Sequence, residues 1–188
     1  SSANYSISLS NINYVAPNSS LFDSLDAMYL LGFDWIYSGK VNTAAGFGIQ
    51  TRRMTSGGKQ KFNSWIANIQ IKWAHKSYSV YTLMMSRSAR ANPAIGAVNS
   101  TSTTYNLSWA HRFTRKVATN IALNMNLIRT DNDRSDLLST ITTSVDYQAA
   151  PWLSIAPRID WRALKSTDVT QEYDNYIASI QFTLNYSR

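Results

Sequence analysis

The 188-residue sequence predicts an all-β protein, an antiparallel up-and-down transmembrane β-barrel of about ten strands or the C-terminal part of a larger barrel. Three observations carry this expectation. Strict alternation of apolar and polar residues runs for about a dozen positions at a time, longer than an ordinary soluble strand needs. Aromatic residues gather at the ends of the apolar faces, where an interface between lipid and water would hold them. The connections between strands alternate long and short, the asymmetry of bacterial barrels with tight turns on one rim and longer loops on the other.

The pattern is plainest from Ser24 to Met54, two strands folded back at Ser38-Gly39. In the first, Leu25, Ala27, Tyr29, Leu31, Phe33, Trp35 and Tyr37 share one face, opposite Asp26, Met28, Gly32 and Asp34. In the second, Val41, Thr43, Ala45, Phe47, Ile49 and Thr51 oppose Asn42, Ala44, Gly46, Gly48, Gln50 and Arg52. A tilted strand crosses a bilayer with about 9–11 residues, which both segments provide. Before this hairpin, Ala3 to Tyr14 forms a first strand, followed by a polar connection over residues 15–24.

After a loop over residues 54–61, Trp65, Ala67, Ile69, Ile71 and Trp73 mark a fourth strand against Asn68, Gln70 and Lys72. It turns at His75-Lys76 into a fifth strand, Tyr78 to Ala89, of ambiguous phase: Val80, Thr82 and Met84 compete with Tyr81, Leu83 and Met85, as a bulge would explain. A long loop, Arg90 to Ser102, carries Asn92-Pro93 and Gly96. Tyr105, Leu107, Trp109, His111 and Phe113 define the sixth strand, and the turn at Thr114–Lys116 leads to a seventh marked by Ile121, Leu123, Met125 and Leu127. Beyond residues 129–136, Ile141, Thr143, Val145 and Tyr147 mark the eighth, and Ala150-Pro151 turns into Leu153, Ile155, Pro157, Ile159 and Trp161. The last strand follows a loop over 165–173 and alternates Tyr176, Ala178, Ile180, Phe182, Leu184 and Tyr186 with Ile177, Ser179, Gln181, Thr183 and Asn185.

Composition bounds the function. One domain spans residues 1–188, and no run of about eighteen apolar residues could form a spanning helix. Alternation hides apolar surface from an averaged hydropathy, so the mean of −0.26 does not exclude a membrane. The absence of cysteine removes thiol and disulfide chemistry. The net charge of +7 is spread over turns, loops and polar faces without a basic helix or run, which argues against nucleic acid as a partner and for anionic lipid head groups or a positive lumen.

Candidates for a lumen lining are Asp26, Asp34, Arg52, Gln70, Lys72, Arg112, Asn124, Asp146, Arg158, Asp160 and Arg162, all on the polar faces. With the turn centred on Gly39, Asp26 and Arg52 lie opposite each other, suited to a cross-strand ion pair. These charges could form a neutralising network, since an unpaired charge in a narrow interior is costly. A constriction that selects solutes is the second reading, after the structural one. Space over the polar face is expected at the small residues Ala44, Gly46, Gly48, Ala110, Ala118, Ala122 and Ala156.

Enzyme chemistry finds little footing. His75 falls in a turn and His111 on an apolar face, neither with a triad or metal-ligand partner, and the rim carboxylates Asp131, Asp133, Asp136, Asp168 and Glu172 have no histidine among them. Asp131-Asn-Asp133-Arg-Ser-Asp136 lacks the glycine and closing glutamate of a calcium loop, leaving a solvated polar loop. No catalytic residue, metal or cofactor is expected.

From Pro151 to Arg162, through Lys165-Ser-Thr-Asp and Tyr173-Asp-Asn-Tyr to Ile180-Gln-Phe-Thr-Leu-Asn-Tyr, the chain resembles the C-terminal end of bacterial outer-membrane β-barrel proteins. Within these it is most similar to the porin-like barrels that accompany exopolysaccharide or capsule secretion. The resemblance covers about forty residues and departs from the usual assembly signal by continuing through Ser187-Arg188. It implies a Gram-negative outer membrane, outer-membrane lipid and lipopolysaccharide as surroundings, and envelope or secretion-system subunits as partners; the alternation of short and long connections, with the short turns periplasmic, puts both termini in the periplasm. The function implied is a porin or the membrane channel of a polysaccharide or solute exporter. A non-conducting barrel that anchors envelope partners is the alternative. Barrels of the exopolysaccharide group are larger, and ten strands alone enclose an interior mostly filled by side chains.

Overall fold

The computed structural model describes residues 1–13, 23–55, 61–92, 97–131 and 133–184, with residues 91, 92, 97 and 98 described by their backbone alone. The middles of the three early loops (15–24, 54–61 and 90–102), Tyr186 and the terminal Ser187-Arg188 lie outside the described residues. Ten strands form one sheet: β1 (Ser2–Ile12), β2 (Ser24–Ser38), β3 (Val41–Met54), β4 (Lys61–Lys76), β5 (Ser79–Asn92), β6 (Ala97–Arg112), β7 (Val117–Thr130), β8 (Ser135–Ala150), β9 (Leu153–Ser166) and β10 (Tyr173–Leu184). Each pairs antiparallel with its neighbours in chain order, so the architecture is the up-and-down one the alternation predicts. Among the described residues β1 and β10 have a strand on one side only.

Register sets the tilt of this wall. One unbroken row of paired residues on the polar face runs Asp34, Ala44, Gln70, Met84, Asn106, Asn124, Thr140, Arg162, Asn175. Asp34 lies five residues from the midpoint of its hairpin, Gly39. Gln70 lies seven from Ser77, Asn106 nine from Arg115, and Thr140 eleven from Pro151. The row therefore climbs two residues per hairpin, or one per strand. With the short turns on one rim, about 3.3 Å of climb per about 4.8 Å of strand spacing tilts the strands by roughly 35°, within the range of closed barrels.

The same count separates two aromatic girdles on the apolar face. Trp35, Trp73, Tyr81, His111 and Tyr147 each lie four residues from their hairpin midpoint, while Tyr29, Tyr105 and Trp161 lie ten away and Trp65 twelve. At the assumed tilt the girdles stand roughly 16–22 Å apart, close to the apolar band of about 25 Å in such barrels. From β4 to β6 the lower girdle is continuous: Trp73 stacks on Tyr81 at 5.2 Å, Tyr81 on Trp109 at 6.3 Å, and His111 packs between Trp109 and Phe113. Both histidines are thus members of this belt, since His75 also packs edge-on against Trp73.

Three sequence expectations need correction. β5 carries no bulge along its crossing. Tyr81, Leu83 and Met85 pair with Trp73, Ile71 and Ile69, which fixes them on the apolar face, and the register shift lies in the turn between Ala74 and Lys76. Val80 and Met84 look apolar yet face the polar side, because the neighbouring strands set the phase. Second, β5 and β6 extend through most of the segment read as a loop, to Asn92 and from Ala97. Third, the glycines leave less room than their size suggests. A Cβ on Gly46 would overlap the Asn68 amide, and one on Gly48 would meet the Tyr29 carbonyl of the adjacent backbone.

Pro157 leaves its own mark. The β8–β9 pairing runs to Ser144↔Arg158 and resumes at Tyr147↔Ile155, a gap placed where a residue without an N–H cannot join the ladder.

Candidate functional site

The polar face curls around an open space. A cavity of 520 Å³ is lined by Asn4 of β1, Asp34 of β2, Ala44 of β3, Gln70 of β4, Ser86 of β5 and Asn106 of β6. Residues of six consecutive strands can border one cavity only if the sheet is concave on that side. The alternation explains which residues these are. Once the aromatic face is outermost, the Asn, Gln, Ser and Asp of every second position must line the concavity.

At the long-loop end of this face the strands β2 and β3 bring together a buried cluster. Arg52, 2% exposed, donates from Nε to Asp26 Oδ1 at 2.9 Å and from Nη2 to Oδ2 at 2.6 Å, so the cross-strand pair expected from the turn position forms. Ser24 Oγ donates to Asp26 Oδ1 at 3.0 Å, and Gln50 Nε2 donates to Oδ2 at 3.1 Å. The carboxylate thus accepts from three side chains, the satisfaction that a buried charge requires.

Gln50 does something further. Its Nε2 also donates to the Ala89 carbonyl at 2.9 Å, and its Oε1 accepts from the Ala89 amide at 3.2 Å. The β4–β5 ladder ends at Ala67↔Arg87, so beyond that point Ala89 has lost its strand neighbour. The Gln50 amide, reaching from β3 past β4, supplies the two hydrogen bonds that a paired strand would have made. The ends of β5 and β6 stay paired to each other, at Ala89↔Thr101 and Arg90↔Ser100, and Ser100 Oγ donates to the Arg90 carbonyl. This end of the β5–β6 hairpin therefore separates from β4 and is clamped on the polar side of β3. No pattern in the sequence announces it.

The other candidates stand apart from this cluster. Asp34 lines the cavity and accepts from Ser2 Oγ at 3.4 Å and Asn4 Nδ2 at 3.3 Å. Gln70 lines the same cavity. Lys72 sits one polar-face row nearer the short turns, in the row of Thr82, Ser108 and Asp160. Arg158 Nε pairs with Asp160 Oδ2 at 2.9 Å on the same strand, and Thr142 also donates to Asp160. Asn124 and Arg162 share the row of Asp34 and Gln70, while Arg112 and Asp146 flank Ala118 near the short turns. They are thus spread around the wall rather than gathered at one point. Among the described residues no group of three His, Cys, Asp or Glu side chains is placed to hold a metal ion.

No protein-family model matches the chain, and no curated protein sequence matches it. Two solved structures do. The in-vitro folded OmpT, an outer membrane protein of Vibrio cholerae, is 8% identical with a TM-score of 0.52 over 95% of this chain and 63% of its own. The loop-L8 deletion mutant of the same protein is 9% identical with a TM-score of 0.52, over 95% of this chain and 59% of its own. This chain spans about three fifths of the length of those structures, and what the likeness shows is the fold: ten antiparallel strands arranged as in the wall of an outer-membrane β-barrel.

Proposed function

We propose that the chain forms part of the wall of a water-filled outer-membrane channel for small polar solutes, a porin-type role. The observation that carries it is the 520 Å³ cavity bordered by six successive strands, five of which present polar side chains to it, in a sheet whose β1 and β10 have one neighbour each among the described residues. In hydrocarbon every backbone amide and carbonyl needs a partner, so free edges in a bilayer call for further strands. Ten strands over three fifths of the compared chains scale to about sixteen, a number that leaves an aqueous lumen rather than a packed interior. On this reading the short turns and both termini face the periplasm, and the β5–β6 end clamped by Gln50 narrows the passage. Among the polar-face charges, Lys72, Arg112 and Arg162 have no carboxylate partner, and Asp34 and Asp146 no cationic one, within ion-pair distance among the described residues, a small positive excess that mildly favours anions. The exopolysaccharide association rests on the sequence resemblance alone.

Single-channel recording in planar bilayers tests the proposal. Stepwise, stable openings with a mild anion preference are expected. A protein that inserts yet stays silent at all voltages overturns the channel reading in favour of an anchoring barrel.

A further inference from the structure

On the polar face Arg52 and Arg158 each pair with an aspartate. On the apolar face, just past the upper aromatic girdle, Arg53 of β3 and Lys61 of β4 stand directly opposite each other in register. Both are exposed, and neither has an ion-pair or hydrogen-bond partner among the described residues. Like charges directly across a strand pair repel, and among the described residues no carboxylate lies within ion-pair distance of either. Leu25 is the third residue of that row, with nothing to offer a cation.

Below them on the same face Trp65 lies four residues from Lys61, roughly 13 Å along the strand. The Arg87 guanidinium lies over the Trp65 ring at 4.2 Å and donates from Nη1 to Thr103 Oγ1. Its Nε is buried without a partner. Arg129 and Lys165 sit on the apolar faces of β7 and β9, each fourteen residues from its hairpin midpoint, as Arg53 is from Gly39. A tier of cations thus borders the long-loop edge of the aromatic belt.

We propose that Arg53 and Lys61, with the Arg87–Trp65 pair beneath them, bind the phosphates of an anionic lipid in the leaflet on the long-loop side. This rests on the reading that the apolar face meets lipid. An anionic phosphate between Arg53 and Lys61 removes their repulsion. Acyl chains descending past Trp65 would cover the exposed face below, and charge-assisted bonds to phosphate suit guanidinium and ammonium alike. The chemistry is that of a phosphorylated glycolipid or other lipid with a phosphate at the head-group level.

The test reconstitutes the protein in phosphatidylcholine vesicles doped with diphosphorylated lipid A or with its dephosphorylated form, followed by extraction and native mass spectrometry of retained lipid. The wild type is expected to retain the phosphorylated lipid selectively. The double variant Arg53→Gln/Lys61→Gln is expected to lose about twenty-fivefold in retention, at about fivefold per cation. Lys40→Gln/Lys116→Gln, at the short turns, serves as the control and is expected to leave retention unchanged. Equal retention of both lipids, an undiminished double variant, or displacement by inorganic phosphate alone overturns the proposal while leaving channel conductance intact. Failure of the folded protein to enter vesicles, seen by flotation, overturns this proposal and the membrane reading together.

Discussion

Removing the Asp26 carboxylate is the most demanding perturbation the structure offers. Asp26→Ala deletes the acceptor of two close hydrogen bonds from Arg52, at 2.6 and 2.9 Å, and of one each from Gln50 and Ser24. Arg52 stays behind 2% exposed, with Nη1 already lacking a partner. Breaking a buried ion pair from one side costs about 3–5 kcal/mol, because the abandoned charge is neither solvated nor neutralised. At a urea slope of about 2 kcal/mol per molar, the unfolding midpoint should fall by about 1.5–2.5 M. The assay is equilibrium urea unfolding in lipid vesicles, followed by tryptophan fluorescence and by the gel shift between folded and unfolded barrels. Asp26→Ala/Arg52→Met, which removes both charges, should recover most of the loss, since an apolar pair of similar volume is often neutral. A single variant within about 1 kcal/mol of the wild type, or a double variant no better than the single one, would refute the reasoning that the pair is buried and obligatory.

The remaining predictions concern the backbone, the clamp and one exposed turn. Gly48→Ala should prevent folding or cost several kcal/mol, because its Cβ would meet the Tyr29 carbonyl, whereas Gly39→Ala, with open space around it, should fold normally; the gel shift distinguishes them. Gln50→Ala should release Ala89, raising hydrogen exchange at that amide by about ten- to a hundredfold at a cost of about 1–3 kcal/mol of local stability, and on the proposed channel reading it should also increase conductance. Asp168 caps the short 3-10 turn Val169–Gln171, and hydrogen bonds from the hydroxyl and amide of Thr170 hold its carboxyl below the usual aspartate range. That contribution is present above the ordinary aspartate pKa and is lost as pH falls through the lowered one. The Thr170 amide resonance should therefore move in acid below that range, and Asp168→Asn should flatten the change.

Much of the fold was legible because period-2 alternation is a local property. Leu25 to Tyr37 and Tyr105 to Phe113 declare two faces without reference to any other strand, and turn residues at Ser38-Gly39 and Ala150-Pro151 mark the reversals. The Asp26–Arg52 pair was legible too, because a short hairpin fixes the register of the residues flanking it. Where the alternating residues are all moderately apolar, as from Tyr78 to Met85, the phase was not legible, and Trp73 and Trp109 on the neighbouring strands settled it.

By itself, then, the sequence determined strand number, the assignment of most faces, and the rim on which the turns lie. The tertiary structure alone decided the climb of one residue per strand, the filling of the space over Gly46 by Asn68, and the release of Ala89 from β4 into the grip of Gln50. Each of these depends on which residue of one strand faces which residue of another. A pattern of period two is unchanged by sliding a strand two places, so local alternation holds no record of that offset.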